Sequence, residues 1–206
     1  MAHNREKVNA KKLFELLESI SKFAEREINM YALGGTALTI LSIKDSTLDI
    51  DINIGSEKEY IYICRIFEQI GFEKKGMFRW FTQEGLAFDL FHSFNILGTE
   101  LLPDCMEKSR YIKLFGKIKL YTLSLEDIII SKLARGDPRD FDDIKSILEK
   151  RIDIKKLAQR YKKTMESSVV SNYKQKLLDL IEIKFKEWKF NMDDELIGEV
   201  KRWQER

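Results

Sequence analysis

The chain has 206 residues, 44% of them hydrophobic and 34% charged, with a net charge of +2. That length is enough to bury a sizeable core, either as one domain with an appendage or as two small domains, and the balance is that of a soluble globular protein. Cys64 and Cys105 stand apart from each other and from His3 and His92, so neither a zinc-ligand spacing nor a disulfide framework is suggested.

The N-terminus is charged and lacks the apolar segment of a secretion signal, and no run approaches the roughly 18 apolar residues of a spanning helix. A cytoplasmic protein without membrane contact is expected. Leu13, Leu16, Leu17, Ile20 and Phe23 recur at helical spacing, so residues 9–27 are predicted to form an amphipathic helix. Met30 to Leu33 is a short apolar strand stopped by Gly34-Gly35, where the missing Cβ atoms make a sharp turn cheap. Thr36 to Ile43 returns to helical spacing. From Leu48 to Ile54 the chain alternates: Leu48, Ile50, Ile52 and Ile54 interleave with Asp49, Asp51 and Asn53 at the strand period of two.

Two carboxylates therefore share one strand face, and like charges that close raise a pKa unless a cation lies between them. Magnesium takes oxygen ligands and is commonly held by one or two carboxylates together with substrate phosphates. Backbone N–H groups at the helix start after Gly34-Gly35, aided by the helix dipole, form an anion site, and Thr36 adds a hydroxyl. Together these residues describe a place for a metal-bound nucleoside triphosphate.

Further on, Ser56-x-x-Glu59 is a capping box for a second helix, with Gly71 at its C-cap. Residues 72–83 and 86–93 read as two strands joined by a turn at Gln83-Glu84-Gly85. Asp89 alternates with Phe88 and Leu90, which places a carboxylate among apolar neighbours in need of a partner. His92 falls on the opposite face and reads as structural. Residues 95–104 read as loop because of Pro103, and Tyr111 to Phe115 and Lys117 to Tyr121 as short strands around Gly116. Ser124-x-x-Asp127 is a second capping box, opening a helix that Gly136 stops. Lys132 shares that helix's inner stripe with Leu125, Ile128 and Ile129. Asp137-Pro138 then starts a helix sharply, on which Arg139 and Asp143 are spaced for a surface ion pair.

Beyond Lys150 only helices are predicted, at residues 152–161, 169–190 and 194–203. Residues 144–206 hold 16 Lys and Arg against 11 Asp and Glu, a basic balance that suits either RNA contact or an ordinary solvated helix face. The fold class expected is α+β: a small mixed sheet covered by helices over residues 1–123, then a helical region over 124–206.

Gly34-Gly35, thirteen residues, then Asp49-Ile50-Asp51 resembles the signature of the DNA polymerase β-like nucleotidyltransferase superfamily. Lys132 followed by Arg139, Asp140 and Asp143 is similar to the downstream motif of its minimal prokaryotic branch, which includes abortive-infection toxins. The resemblance implies that Asp49, Asp51 and Asp89 are catalytic and bind metal, with Asp89 as the third carboxylate. It also implies that Gly34, Gly35, Thr36, Lys132, Arg139 and Asp140 bind nucleotide. Two Mg2+ ions would accompany the bound triphosphate. The implied activity moves a nucleoside monophosphate from a nucleoside triphosphate to a hydroxyl of an RNA 3′ end such as tRNA, a protein or a small molecule. A toxin role with an antitoxin partner, and a monomer or homodimer, belong to the same expectation. The alternative is a non-catalytic nucleotide- or RNA-binding protein that retains the fold.

Overall fold

A computed structural model describes residues 7–92, 95, 96 and 99–204. The chain divides into two units, the first made of residues up to 93 and 104–124, the second of residues 94–103 and 125–206. Residues 94–103 thus group with the helices that follow, although they precede them in sequence.

In chain order the first unit begins with α1 (Ala10–Ser21), β1 (Ile28–Ala32), α2 (Gly34–Ile40), β2 (Asp49–Ile54) and α3 (Glu57–Gln69). Next come β3 (Glu73–Lys74), β4 (Arg79–Phe81) and β5 (Ala87–His92). The second unit contributes β6 (Asn95–Ile96) and β7 (Thr99–Glu100), after which β8 (Arg110–Phe115) and β9 (Ile118–Thr122) complete the first. The described strands of the first unit form one mixed sheet in the order β3-β4-β5-β2-β1-β9-β8, with β2 parallel to β5 and β1 parallel to β9.

Local chemistry explains most of these boundaries. The Asn9 side chain accepts the Lys12 amide at 2.9 Å and starts α1, whose Leu13, Leu17 and Ile20 are buried. The helix ends at Ser21, earlier than the expected residue 27. In the Ser56–Glu59 capping box, the Ser56 hydroxyl donates to Glu59 Oε2 at 3.0 Å and accepts the Glu59 amide at 3.3 Å. The strand expected over 72–83 is instead a hairpin. Gly76 takes a left-handed φ of +96°, and the Lys75 amide closes on the Arg79 carbonyl at 2.8 Å, so β3 and β4 fold back on each other. Phe67 of α3 packs edge-on against Trp80 of β4 and Phe88 of β5, at 5.5 and 4.9 Å between ring centres. That contact covers the aliphatic face of the sheet, which also holds Ile50, Ile52 and Ile54, all fully buried.

The second unit follows β6 and β7 with α4 (Leu125–Arg135), α5 (Pro138–Leu148) and α6 (Ile154–Ser167). Then come α7 (Tyr173–Leu178), a π-helical stretch Asp179–Lys184, α8 (Phe185–Trp188) and α9 (Asp194–Lys201). The expected loop over 95–104 therefore contains a short antiparallel pair, Asn95 with Glu100 and Ile96 with Thr99. Asp127, expected to cap α4, is fully buried and accepts Arg160 Nε at 2.7 Å and Nη2 at 2.8 Å. The carboxylate therefore also carries a bidentate ion pair between α4 and α6. Among the described residues no helix is long and apolar enough to cross a membrane.

Candidate active site

The alternation in β2 sends Ile50, Ile52 and Ile54 into the core and leaves Asp49 and Asp51 on the other face, half-exposed. Parallel pairing with β5 sets Asp51 level with Asp89 and Asp49 level with Ala87. Paired residues on neighbouring strands share a face, so the three carboxylates stand on one side of the sheet. His92, of opposite parity to Asp89, lies instead against Tyr60 of α3 at 4.5 Å between ring centres.

A fourth residue joins them. Antiparallel pairing of β4 with β5 places Arg79 opposite Asp89. Arg79 Nε donates to Asp89 Oδ1 at 2.7 Å and Nη2 to Oδ2 at 2.5 Å, and Nη2 also lies 3.7 Å from Asp49 Oδ1. The hydrogen bonds to Asp89 are the main reason the guanidinium is held in its charged form well above its ordinary range, against the smaller opposing effect of burial. A cation of the chain's own thus sits among the carboxylates, and Arg79 is the partner that Asp89 needed.

The Gly34-Gly35 turn abuts the same carboxylates. Gly34 has a left-handed φ of +45°, and a Cβ there would come within 3.3 Å of Asp51 Oδ2, while one on Gly35 would strike Thr47 Oγ1 at 2.8 Å. The Leu33 amide donates to the Asp51 carbonyl at 3.0 Å. Thr36 is fully buried; its hydroxyl accepts the Asp51 amide at 2.8 Å and donates to the Asp49 carbonyl at 3.2 Å. The hydroxyl expected to meet phosphate is thus committed to the backbone of β2, and Thr36 positions the carboxylate strand.

The downstream motif lies in the second unit. Lys132, 4% exposed, donates to Asp140 Oδ1 at 3.0 Å and Asp143 Oδ2 at 2.6 Å. Arg135 forks onto Asp140 through Nε at 2.7 Å and Nη2 at 2.5 Å. Burial pushes the Asp140 pKa up, but the Arg135 hydrogen bond and the nearby Lys132 charge outweigh it and hold the carboxyl below its ordinary value. Arg139 is 85% exposed and pairs with the N-cap Asp137 at 3.2 Å. The structure therefore brings Lys132 and Asp140 together as a brace between α4 and α5 and leaves Arg139 at the surface.

Arg79 and Arg135 escaped the reading of the sequence. Counting outward from the Gln83-Glu84-Gly85 turn pairs Arg79 with Asp89, so hairpin register alone could have found the first.

The donor chemistry suits a hard divalent ion, since three carboxylates offer oxygen ligands and the guanidinium that spans Asp89 and Asp49 shows one cation serving two strands. Among the described residues no three His, Cys, Asp or Glu side chains are drawn together as a ligand set, and Asp89 is paired with Arg79. A groove of about 780 Å³ in the first unit, lined by Leu16, Phe23, Ile70, Phe72 and Gln83 among others, includes none of these carboxylates.

A family model described as nucleotidyltransferase of unknown function (DUF6036) matches residues 11–192. The chain belongs to this family. Two solved structures of the antibiotic-resistance factor ANT(2″)-Ia share its fold. One, in complex with adenylyl-2″-tobramycin, has 13% identity and covers 75% of this chain and 95% of its own, with a TM-score of 0.52. The other, a solution structure, has 12% identity, coverage of 75% and 90%, and a TM-score of 0.51. A Thermotoga maritima structure described as a candidate nucleotidyltransferase has 18% identity, coverage of 72% and 100%, and a TM-score of 0.48. The correspondence of fold rests on the two ANT(2″)-Ia structures, and no curated protein matches the chain. A mixed sheet with helices, in a nucleotidyltransferase fold and family, is what these residues build.

Proposed function

We propose that this nucleotidyltransferase is a magnesium-dependent enzyme of the DNA polymerase β-like superfamily, moving a nucleoside monophosphate from a nucleoside triphosphate to a hydroxyl acceptor. The observation that carries the reading is the level pairing of Asp51 with Asp89 on parallel strands, beside the Gly34-Gly35 turn. Asp49 and Asp51 would hold magnesium with the triphosphate, and Asp89 would complete a second ion site. Bound magnesium would neutralise the phosphates and support an in-line displacement.

The acceptor oxygen forms its bond to the α-phosphorus while the bond from that phosphorus to the bridging oxygen breaks, and pyrophosphate leaves with the electron pair. Asp89, which stands level with Asp51 on the neighbouring strand, would take the hydroxyl proton. Gly34 presents bare backbone beside Asp51 and Gly35 beside Thr47; both would receive the outgoing phosphates, and Thr36 holds that strand in place. In the second unit Arg139 is the motif cation exposed to an anionic ligand.

The acceptor classes are an RNA 3′ end, a protein hydroxyl and a small molecule, and a toxin held by an antitoxin is a cellular role of the same chemistry. The deciding experiment follows label from an α-phosphate-labelled nucleoside triphosphate into RNA, protein and small-molecule pools, with wild type and Asp51→Asn. Transfer into one pool by the wild type, lost in the variant, supports the reading. No transfer to any pool, alongside RNA binding untouched by Asp51→Asn, overturns it in favour of a binding protein. Growth arrest on expression that vanishes with Asp51→Asn would support the toxin role.

A further inference from the structure

We infer that Arg79 is the resident counter-ion of the carboxylate site and that a divalent ion enters by displacing it, which couples metal entry to arrival of the triphosphate. This rests on the nucleotidyltransferase reading above and adds an order of binding to it. Both oxygens of Asp89 are engaged by the Arg79 fork, and the same guanidinium reaches toward Asp49 on the neighbouring strand. A guanidinium and a divalent ion are therefore alternatives at Asp89.

Arg79 is built to move without disturbing the core. Its side chain is 33% exposed, whereas the next residue, Trp80, is fully buried on the opposite face and anchors β4 against Phe67. The hairpin turn before it is exposed at Met77 and Phe78. A metal ion arriving alone must break a bidentate charge-assisted pair and leave two cations side by side, which is costly. A metal–triphosphate brings anionic oxygens that can receive the displaced guanidinium, so the metal should bind weakly alone and strongly with nucleotide. A merely structural pair, tying β4 to β5, predicts no such synergy: its loss would lower stability and leave metal affinity unimproved.

The test measures Mn2+ binding by the loss of the free-ion electron paramagnetic resonance signal, first with Mn2+ alone and then with each of the four ribonucleoside triphosphates. Wild type is compared with Arg79→Gln, Arg79→Lys and Asp51→Asn, each checked for folding by circular dichroism. Arg79→Gln should bind Mn2+ alone about tenfold more tightly than wild type and Mn2+–triphosphate more weakly. Arg79→Lys keeps the charge but loses the fork, so a smaller gain is expected, and it is the variant to read if Arg79→Gln does not fold. No gain in affinity for Mn2+ alone overturns the inference. If Asp51→Asn abolishes wild-type Mn2+–triphosphate binding while the Arg79 variants gain nothing, only the order of binding falls. If wild type and Asp51→Asn bind alike, or neither binds, the metal site and the inference fall together.

Discussion

The Thr36 hydroxyl accepts the Asp51 amide at 2.8 Å, and this bond ties the first turn of α2 to the strand that carries the carboxylates. The same oxygen donates to the Asp49 carbonyl, so one buried hydroxyl sets the spacing between the Gly-Gly turn and both β2 aspartates. Thr36→Val keeps the shape and leaves the Asp51 amide without this acceptor, which should cost about 1–3 kcal/mol in urea denaturation. Nucleotidyl transfer should fall with it, and Thr36→Ser should restore both. A Thr36→Val protein as stable and active as wild type would show that the bond positions nothing.

The three carboxylates should behave as one unit. Asp51→Asn and Asp89→Asn each keep the volume and remove a charge, and each should lower label transfer by about a hundredfold or more. The double variant should be scarcely worse than either single one. Effects that multiply would mean that the two aspartates act independently.

Lys132 and Arg139 belong to one sequence motif but differ in burial. Lys132 is 4% exposed between Asp140 and Asp143, whereas Arg139 is 85% exposed. Lys132→Met breaks a buried ion cluster and should destabilise the chain by about 3 kcal/mol, while Arg139→Ala should change stability by less than about 0.5 kcal/mol. Denaturation midpoints at neutral pH check both. Equal effects would contradict the division between a brace and a surface cation.

Asp140 also gives a pH dependence. Its folded pKa lies below the ordinary aspartate value of 3.8: burial pushes it up, but Arg135 and Lys132 outweigh that. A depressed carboxylate contributes stability that is fully present above the unfolded value and is lost as pH falls through the folded one. The stability gap between wild type and Asp140→Asn should therefore be flat from pH 7 to about 5 and shrink below about 4. A gap that widened as the solution became acid would reverse the assignment.

Much of the fold was legible because its signals are local. The Ile–Asp alternation of β2 needs only the two-residue period of a strand, and the Ser56–Glu59 box and Asp137-Pro138 start their helices through contacts within one turn. Where a side chain had two uses, local reasoning chose the nearer one. The Ser124–Asp127 spacing points to a capping box, but nothing local points to Arg160, 33 positions away, as a partner of Asp127. The place of Thr36 after the Gly-Gly turn points to phosphate, but nothing local points to its bond with a strand 15 positions on. The split of residues 72–83 turned on Gly76, whose left-handed conformation leaves no mark in hydropathy.

The sequence by itself determined that Asp49 and Asp51 share a face, that Asp89 is a carboxylate in need of a partner, and that the carboxylate strand follows a Gly-Gly turn. Only the tertiary structure decided that Asp89 stands level with Asp51 and is gripped by Arg79. Alternation sets which side of its own strand a residue faces, but the order and register of strands depend on which surfaces bury together. The pairing of β5 with β2, a connection across α3 and the β3–β4 hairpin, is settled on the opposite face, where Phe88 and Trp80 pack on Phe67 and Ile50 and Ile52 are buried. The geometry of the charged face is thus a consequence of the apolar one.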